Sequence, residues 1–177
     1  MQISAIPAPE YSVLVLSVVS LKDSMQWLEL KIPPVGAALI AAGMMWLTAR
    51  ATPSISPRIE HGAIVAACFF LCGVALGVAG IVSFHRAKTS VHPMNLKLTS
   101  ALVTGGAYRF SRNPMYLGIA IALVGWGIYL SNVIAPVFVV AFICYMNRFQ
   151  ILPEERSLER QFGEQFKNYK HQVRRWL

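Results

Sequence analysis

Three stretches of this chain carry no charged side chain: residues 32–49, 62–84 and 113–147. A helix crosses the hydrocarbon core of a bilayer with about 20 apolar residues and satisfies its own backbone there, so these stretches constrain the fold first. The first two are each about that long. The third, as one straight helix, would run roughly 50 Å at 1.5 Å per residue, too far for a single crossing. Ser131-Asn132, with Pro136 behind it, offers a break. The third stretch therefore reads as two short antiparallel helices, about 115–130 and 133–150, joined by a tight turn. Composition agrees: 14% of the residues are charged, against roughly 25% in a soluble domain.

The expected fold is an all-α integral membrane protein with about four transmembrane helices, near 32–50, 62–84, 115–130 and 133–150, in one domain over 28–177. Residues 1–27 read as a peripheral or interfacial extension. Their apolar run, 11–21, is too short to span, and no positive n-region of a signal peptide precedes it. Coherent patterning begins near Met25, which reads as the natural start. Gly73-x-x-x-Gly77, with Gly80 one turn on, is the spacing that lets helices approach closely in lipid. Cys68, Cys72 and Cys144 all lie in apolar runs without histidine or carboxylate neighbours at metal-site spacing, and read as small buried hydrophobes rather than metal ligands.

The tail has a different pattern. Leu158, Phe162, Phe166, Tyr169 and Val173 recur at helical spacing, with charges on the other faces. This predicts a C-terminal amphipathic helix over 154–173, opened by Pro153 at a first-turn position. Arg174-Arg175-Trp176 suits a membrane–water interface.

The net charge is +8. In a chain this apolar, basic loops facing an anionic membrane surface account for it, and no nucleic-acid partner is expected. With four spans, both termini and the 85–112 interval share one side. That side collects Lys22, Lys31, Arg86, Lys88, Lys97, Arg109, Arg112 and the basic tail. The opposite loop, 50–61, offers Arg50 and Arg58 against Glu60. The positive-inside rule then places both termini and the 85–112 interval in the cytoplasm of a multi-pass protein. No signal for an oligomeric state is present.

Two polar patches, 102–116 and 147–163, fall at the two ends of the helical hairpin, so the topology brings them together. Taken singly, their residues have plain readings. Glu154 and Glu155 favour a helix N-terminus by roughly 0.3–1 kcal/mol. Arg112 can snorkel to the interface. Tyr108 and Tyr116 suit the headgroup level, and His85 and His92 suit solvated loops. As a pair, "LVTGGAYRFSRNPMYLG" and "PEERSLERQFGEQFKNYKHQVRRW" resemble the isoprenylcysteine carboxyl methyltransferase family and its phospholipid methyltransferase relatives, from about residue 28 to 177.

The resemblance implies S-adenosylmethionine as cofactor, bound at the cytoplasmic face under the C-terminal helix, and a lipophilic or lipid acceptor arriving from the bilayer. By position, the cofactor contacts would be Ser100, Ala101, Leu102, Val103, Tyr108, Asn113, Pro114, Met115 and Tyr116. Glu154 would take the cofactor's amino group. Arg112 and Asn113 would supply donors to the pocket wall. Many family members have histidine at the positions of Ser100 and Asn113, which implies a positional role for Asn113. Eukaryotic carboxyl methyltransferases carry an arginine one helical turn before the acidic residue; here that position is Gln150, with Arg148 nearest. Arg148, Gln150 and Glu155 are thus the candidate catalytic residues. A carboxylate acceptor would need no base, whereas an amine or thiol would hand its proton to Glu155 or His92. Two other readings remain: an NADPH-dependent membrane enone or sterol-type reductase on a related scaffold, and a non-catalytic lipid-binding membrane protein.

Overall fold

The computed structural model describes residues 29–53, 60–86 and 102–177. The 1–27 extension, Met25, His92, Ser100 and Ala101 lie outside the described residues. Among the described residues the structure is helical without strands: α1 (Pro34–Ala51), α2 (Gly62–Arg86), a 3-10 turn (Gly106–Arg109), α3 (Pro114–Leu130), α4 (Ala135–Tyr145), a π-helical segment (Met146–Ile151), α5 (Leu152–Phe162) and α6 (Glu164–Gln172). The protein is an all-α integral membrane protein. α1 and α2 are long and apolar enough to cross a bilayer, and so is the continuous 28-residue rod Ala135–Phe162. Hydrocarbon can accommodate that rod only as far as about Asn147, because Arg148 follows and Glu154, Glu155 and Arg156 come after Pro153. α3 is shorter and equally apolar.

Prolines open α1 and α3 at the first helical turn, where the missing N–H costs nothing. α3 ends on Ser131 in the left-handed conformation, φ 50°, which turns the chain sharply into α4. The four rods alternate in direction. Asn132, in the α3–α4 turn, donates from Nδ2 to Thr52 Oγ1 at the far end of α1 (3.0 Å). At the other end, Gln150 donates to the Ile32 carbonyl (2.7 Å) and Leu30 N to Phe149 O (3.1 Å). Trp126 Nε1 donates to the Ala42 carbonyl (3.0 Å), so this indole finds its partner in mid-membrane.

Among the described residues, α2 and α3 approach each other closely. A Cβ on Gly73 would strike the Gly118 carbonyl and stand 2.8 Å from Ala122 N. One on Gly125 would stand 2.8 Å from Ala66 O, and one on Gly80 would meet Met115 Cγ at 2.7 Å. Backbone therefore lies on backbone along most of α2, as small residues permit in lipid. Gly77 differs: a Cβ there meets nothing within 4 Å. The outward faces of α1, α2 and α4 expose Leu39, Ile64, Leu71 and Val137, which suits contact with lipid. The three cysteines are exposed on these surfaces, not buried as the apolar runs had implied. Periodicity marks a helix as apolar but does not say which apolar positions face protein and which face lipid. An apolar cleft of about 370 Å³ opens beside the α3–α4 turn, among Val124, Ile128, Val139 and Val140, and holds no ionisable side chain.

Past Ile151 the amphipathic tail is two helices, not one. Gly163 adopts φ 52°, ψ −122°, a conformation reserved for glycine. It breaks the helix, and Lys170–Glu159 (2.8 Å) ties the two pieces across the break. The stripe read from the sequence survives the break. Phe166, Tyr169 and Val173 are buried with Val103 and Tyr108, and Leu158 and Phe162 pack against them.

Gly73→Ala and Gly118→Ala are expected to lower thermal stability in detergent, by about 1–3 kcal/mol for forced overpacking. Gly77→Ala, one turn away on α2, is expected to be neutral or slightly stabilising. Equal loss from all three substitutions would contradict this packing.

Candidate functional site

The site begins where α2 ends. Gly106, at φ 61°, brings the 3-10 turn against Ser83 so closely that any Cβ would strike the serine hydroxyl. The turn then buries Tyr108, whose ring meets Phe84 edge-on, with centroids 5.2 Å apart. Tyr169 on α6 donates its hydroxyl to the Tyr108 carbonyl (2.7 Å), which fastens the amphipathic tail over the turn. Burial, with repulsion from Glu154 and Tyr169, holds the Tyr108 phenol well above its ordinary pKa. Burial does the same to Tyr169, against the pull of Arg112. Both phenols stay protonated at neutral pH and serve as hydrogen-bonding and packing groups rather than bases.

Residues 111–113 lead into α3 and are clasped by the end of the chain. Arg112 N donates to Arg174 O (3.0 Å). The Ser111 hydroxyl (3.2 Å) and the Asn113 amide (3.1 Å) both donate to Arg175 O. Trp176 Nε1 donates to Asn147 Oδ1 (3.1 Å). Asn113 is thus occupied with holding the tail. Arg174-Arg175-Trp176, read from sequence as an interfacial anchor, is also a strap across the Asn–Pro corner.

The two adjacent glutamates sit beside that corner in opposite circumstances. Glu155 is held by Arg175 in a bidentate pair (Nη2 to Oε2 2.6 Å, Nε to Oε1 3.2 Å) and by Arg112 Nη2 at 3.3 Å. Glu154 accepts the Tyr116 hydroxyl at 2.5 Å, and among the described residues it has no cationic partner. Glu154 lies past the part of the rod that hydrocarbon can hold. Its withdrawal from water, against the Tyr116 bond and with repulsion from Glu155, pushes its pKa up to about 7. Arg112 keeps Nε and Nη1 buried without a hydrogen-bond partner.

The other candidate positions turn toward α1. Arg148 pairs with Glu29 (2.7 Å), as does Arg156 (2.6 Å). Burial disfavours the Glu29 carboxylate, but the two guanidiniums win and hold its pKa below the usual value. Gln150 is fully buried and spends its amide N–H on Ile32, leaving Oε1 without a partner. Both lie in the π-helical segment, whose wide turn is common at functional sites.

The structure therefore gathers Tyr108, Asn113, Pro114, Met115, Tyr116, Glu154 and Glu155 around one corner, with Val103 and Leu102 behind Tyr108 in the cap. Arg148 and Gln150 lie on the α1 side. Sequence reasoning missed Glu29 as the counterion of Arg148, and Arg175 as that of Glu155. The available signal was charge arithmetic: two adjacent carboxylates entering a membrane end need cations, and lone acids among many bases are usually paired.

A sequence model described as phospholipid methyltransferase matches residues 62–165. An "Uncharacterized protein" of Haemophilus influenzae is 44% identical over 63 residues, 36% of this chain and 100% of that one. Protein-S-isoprenylcysteine O-methyltransferase A of Arabidopsis thaliana is 36% identical over 106 residues, 58% of this chain and 52% of its own. A probable protein-S-isoprenylcysteine O-methyltransferase of Oryza sativa subsp. japonica is 31% identical over 106 residues, 58% of this chain and 54% of its own. The chain thus spans about half the length of these plant relatives. No solved structure matches.

Tyr169→Phe is expected to cost about 1–3 kcal/mol, because the buried Tyr108 carbonyl loses its tail contact. Unfolding of the detergent-purified protein measures this. A neutral result would show that the hydroxyl bond does not hold the cap.

Proposed function

Because the chain belongs to the phospholipid methyltransferase family, we propose that it is a membrane methyltransferase using S-adenosylmethionine and a lipophilic acceptor. The observation that carries this reading is Glu154. A carboxylate drawn out of water without a cation is costly, and a ligand ammonium would relieve that cost. Next to it, Glu155 already has two guanidiniums, so the two acids are not equivalent. The aromatic pair Tyr108 and Phe84 backs the corner with apolar packing. The residues present therefore fit the cofactor.

S-adenosylmethionine supplies a methyl carbon made electrophilic by a sulfonium. The chain's part is to bind and align. Glu154 would fix the amino end, with Tyr116 orienting the carboxylate, and the strapped 111–113 segment would form the wall. Holding two reactants in line accounts for roughly 7–11 kcal/mol of barrier lowering. Tyr108 and Tyr169, kept protonated, move no proton. The acceptor would enter from the lipid side, beside Gln150 and Arg148. Arg148 is already neutralised by Glu29, which favours an uncharged acceptor group over a carboxylate. The positive-inside rule puts this end of the bundle in the cytoplasm, where the cofactor is available.

Thermal-shift titration of the purified protein with S-adenosylhomocysteine and with NADPH tests the donor class. Stabilisation by the first alone is expected; stabilisation by NADPH alone would indicate a reductase. Glu154→Gln is expected to weaken S-adenosylhomocysteine by the value of a charge-assisted hydrogen bond, about 1.5–3 kcal/mol. The pH dependence has a definite sign. Below about pH 7 the Glu154 carboxyl is protonated and binding must expel that proton; above it the carboxylate stands ready. Cofactor affinity should therefore fall by up to about tenfold per unit as pH drops below 7, and the slope should vanish in Glu154→Gln. Arg148→Ala should leave cofactor affinity unchanged.

A further inference from the structure

Glu29, just ahead of α1, bridges two arginines of the rod. Its Oε1 takes Arg148 Nη1 at 2.7 Å and its Oε2 takes Arg156 Nη2 at 2.6 Å. The backbone holds the carboxylate there: Leu30 N donates to Phe149 O (3.1 Å) from a left-handed conformation, φ 60°. That conformation is unfavourable for leucine and persists only where its surroundings enforce it. One carboxylate against two guanidiniums leaves one positive charge. Glu29 is 13% exposed, whereas Arg148 and Arg156 are 31% and 49% exposed. A guanidinium carries five N–H groups, and each of these gives one nitrogen to Glu29. The cluster therefore keeps accessible donors for a second anion.

Depth identifies that anion. Arg148 stands where the rod leaves hydrocarbon, and Arg156 lies two turns further on, about 12 Å along the axis at 1.5 Å per residue. Both reach the same carboxylate, so their charges meet between the two levels, roughly 6 Å outside the hydrocarbon edge. The polar layer of each leaflet is about 5–8 Å thick, which sets the surplus charge among lipid phosphates. Leu152, one turn from each arginine, is exposed and offers apolar footing for glycerol and the upper acyl chain. A guanidinium matches phosphate oxygens bidentately. A pair already fixed by Glu29 has less side-chain freedom to lose on binding than separate snorkelling residues. We propose that Arg148 and Arg156, set by Glu29, form a headgroup site for an anionic phospholipid on the α1 side of the rod. The site uses neither Glu154 nor Tyr116 and does not rest on the methyl-donor reading.

The full chain in neutral detergent micelles is doped with phosphatidylglycerol, which has no amine to methylate, or with zwitterionic phosphatidylcholine. Phosphatidylglycerol should raise the unfolding temperature by about 2–4 °C more than phosphatidylcholine. Arg156→Gln should remove most of that difference. Arg160→Gln, one turn further along α5 and removing the same charge, should leave it. Glu29→Gln should enlarge it, because both guanidiniums then turn to phosphate. Inorganic phosphate at the same concentration should give no shift. Equal stabilisation by the two lipids would show no headgroup preference and overturn the site. So would an equal loss from Arg156→Gln and Arg160→Gln, which means diffuse surface charge. A shift from inorganic phosphate alone means a soluble-anion site and overturns it too. A Glu29→Gln preference no larger than wild type would mark the cluster as an internal ion bridge. Should Glu29→Gln fail to fold, the wild type and the two arginine variants decide the question.

Discussion

Two helices can lie backbone to backbone only where neither presents a side chain, and most of this molecule takes its position from one such contact. Gly73, Gly118 and Gly125 bring α2 and α3 together through the membrane, and Gly80 meets Met115 and Pro114 where α3 begins. In lipid no hydrophobic force drives apolar helices together; close van der Waals packing must do it. The start of α3 is therefore fixed by its neighbour rather than by its own sequence. Tyr116, one turn in, is fixed with it, and through Tyr116 so is Glu154.

A second layer of order is built on that corner by polar contacts that lie outside hydrocarbon. The chain leaves the bilayer, folds α5 and α6 back over the 3-10 turn, and returns its last residues to 111–113. Apolar burial of Phe166, Tyr169 and Val173 positions the cap. Hydrogen bonds to backbone carbonyls then give it a single register. A stripe of apolar residues alone would allow the tail to slide, and the bonds from Ser111 and Asn113 to the Arg175 carbonyl do not.

Much of this is legible in the sequence. Charge-free runs locate the helices, Ser131-Asn132 with Pro136 locates the hairpin turn, and the hairpin forces 102–116 and 147–163 to the same end. The tail stripe names its own buried face. What is not legible is non-local or geometric. Whether Cys68 faces protein or lipid depends on where α3 packs, and both environments are apolar. The break at Gly163 is one residue in a pattern that continues on either side. The pairing of Glu29 with Arg148 and Arg156 joins positions more than a hundred residues apart, and charge type does not choose among the available arginines. The site's candidate residues were named from motif and topology, yet the difference between Glu154 and Glu155 emerges only from who stands next to each.

The π-helical segment has a bearing on how such a chain can vary. A wide turn amounts to one surplus residue within an otherwise regular screw, and each residue of an α-helix rotates the rest by about 100°. Met146–Ile151 therefore sets the phase of everything downstream against everything upstream. Deleting a single residue there would regularise the rod and leave Pro153–Phe162 near its present phase, whereas the same deletion in the regular turns of α4 would swing both acids off their partners without altering one of them. A change of length can be absorbed within the wide turn; beside it, it cannot.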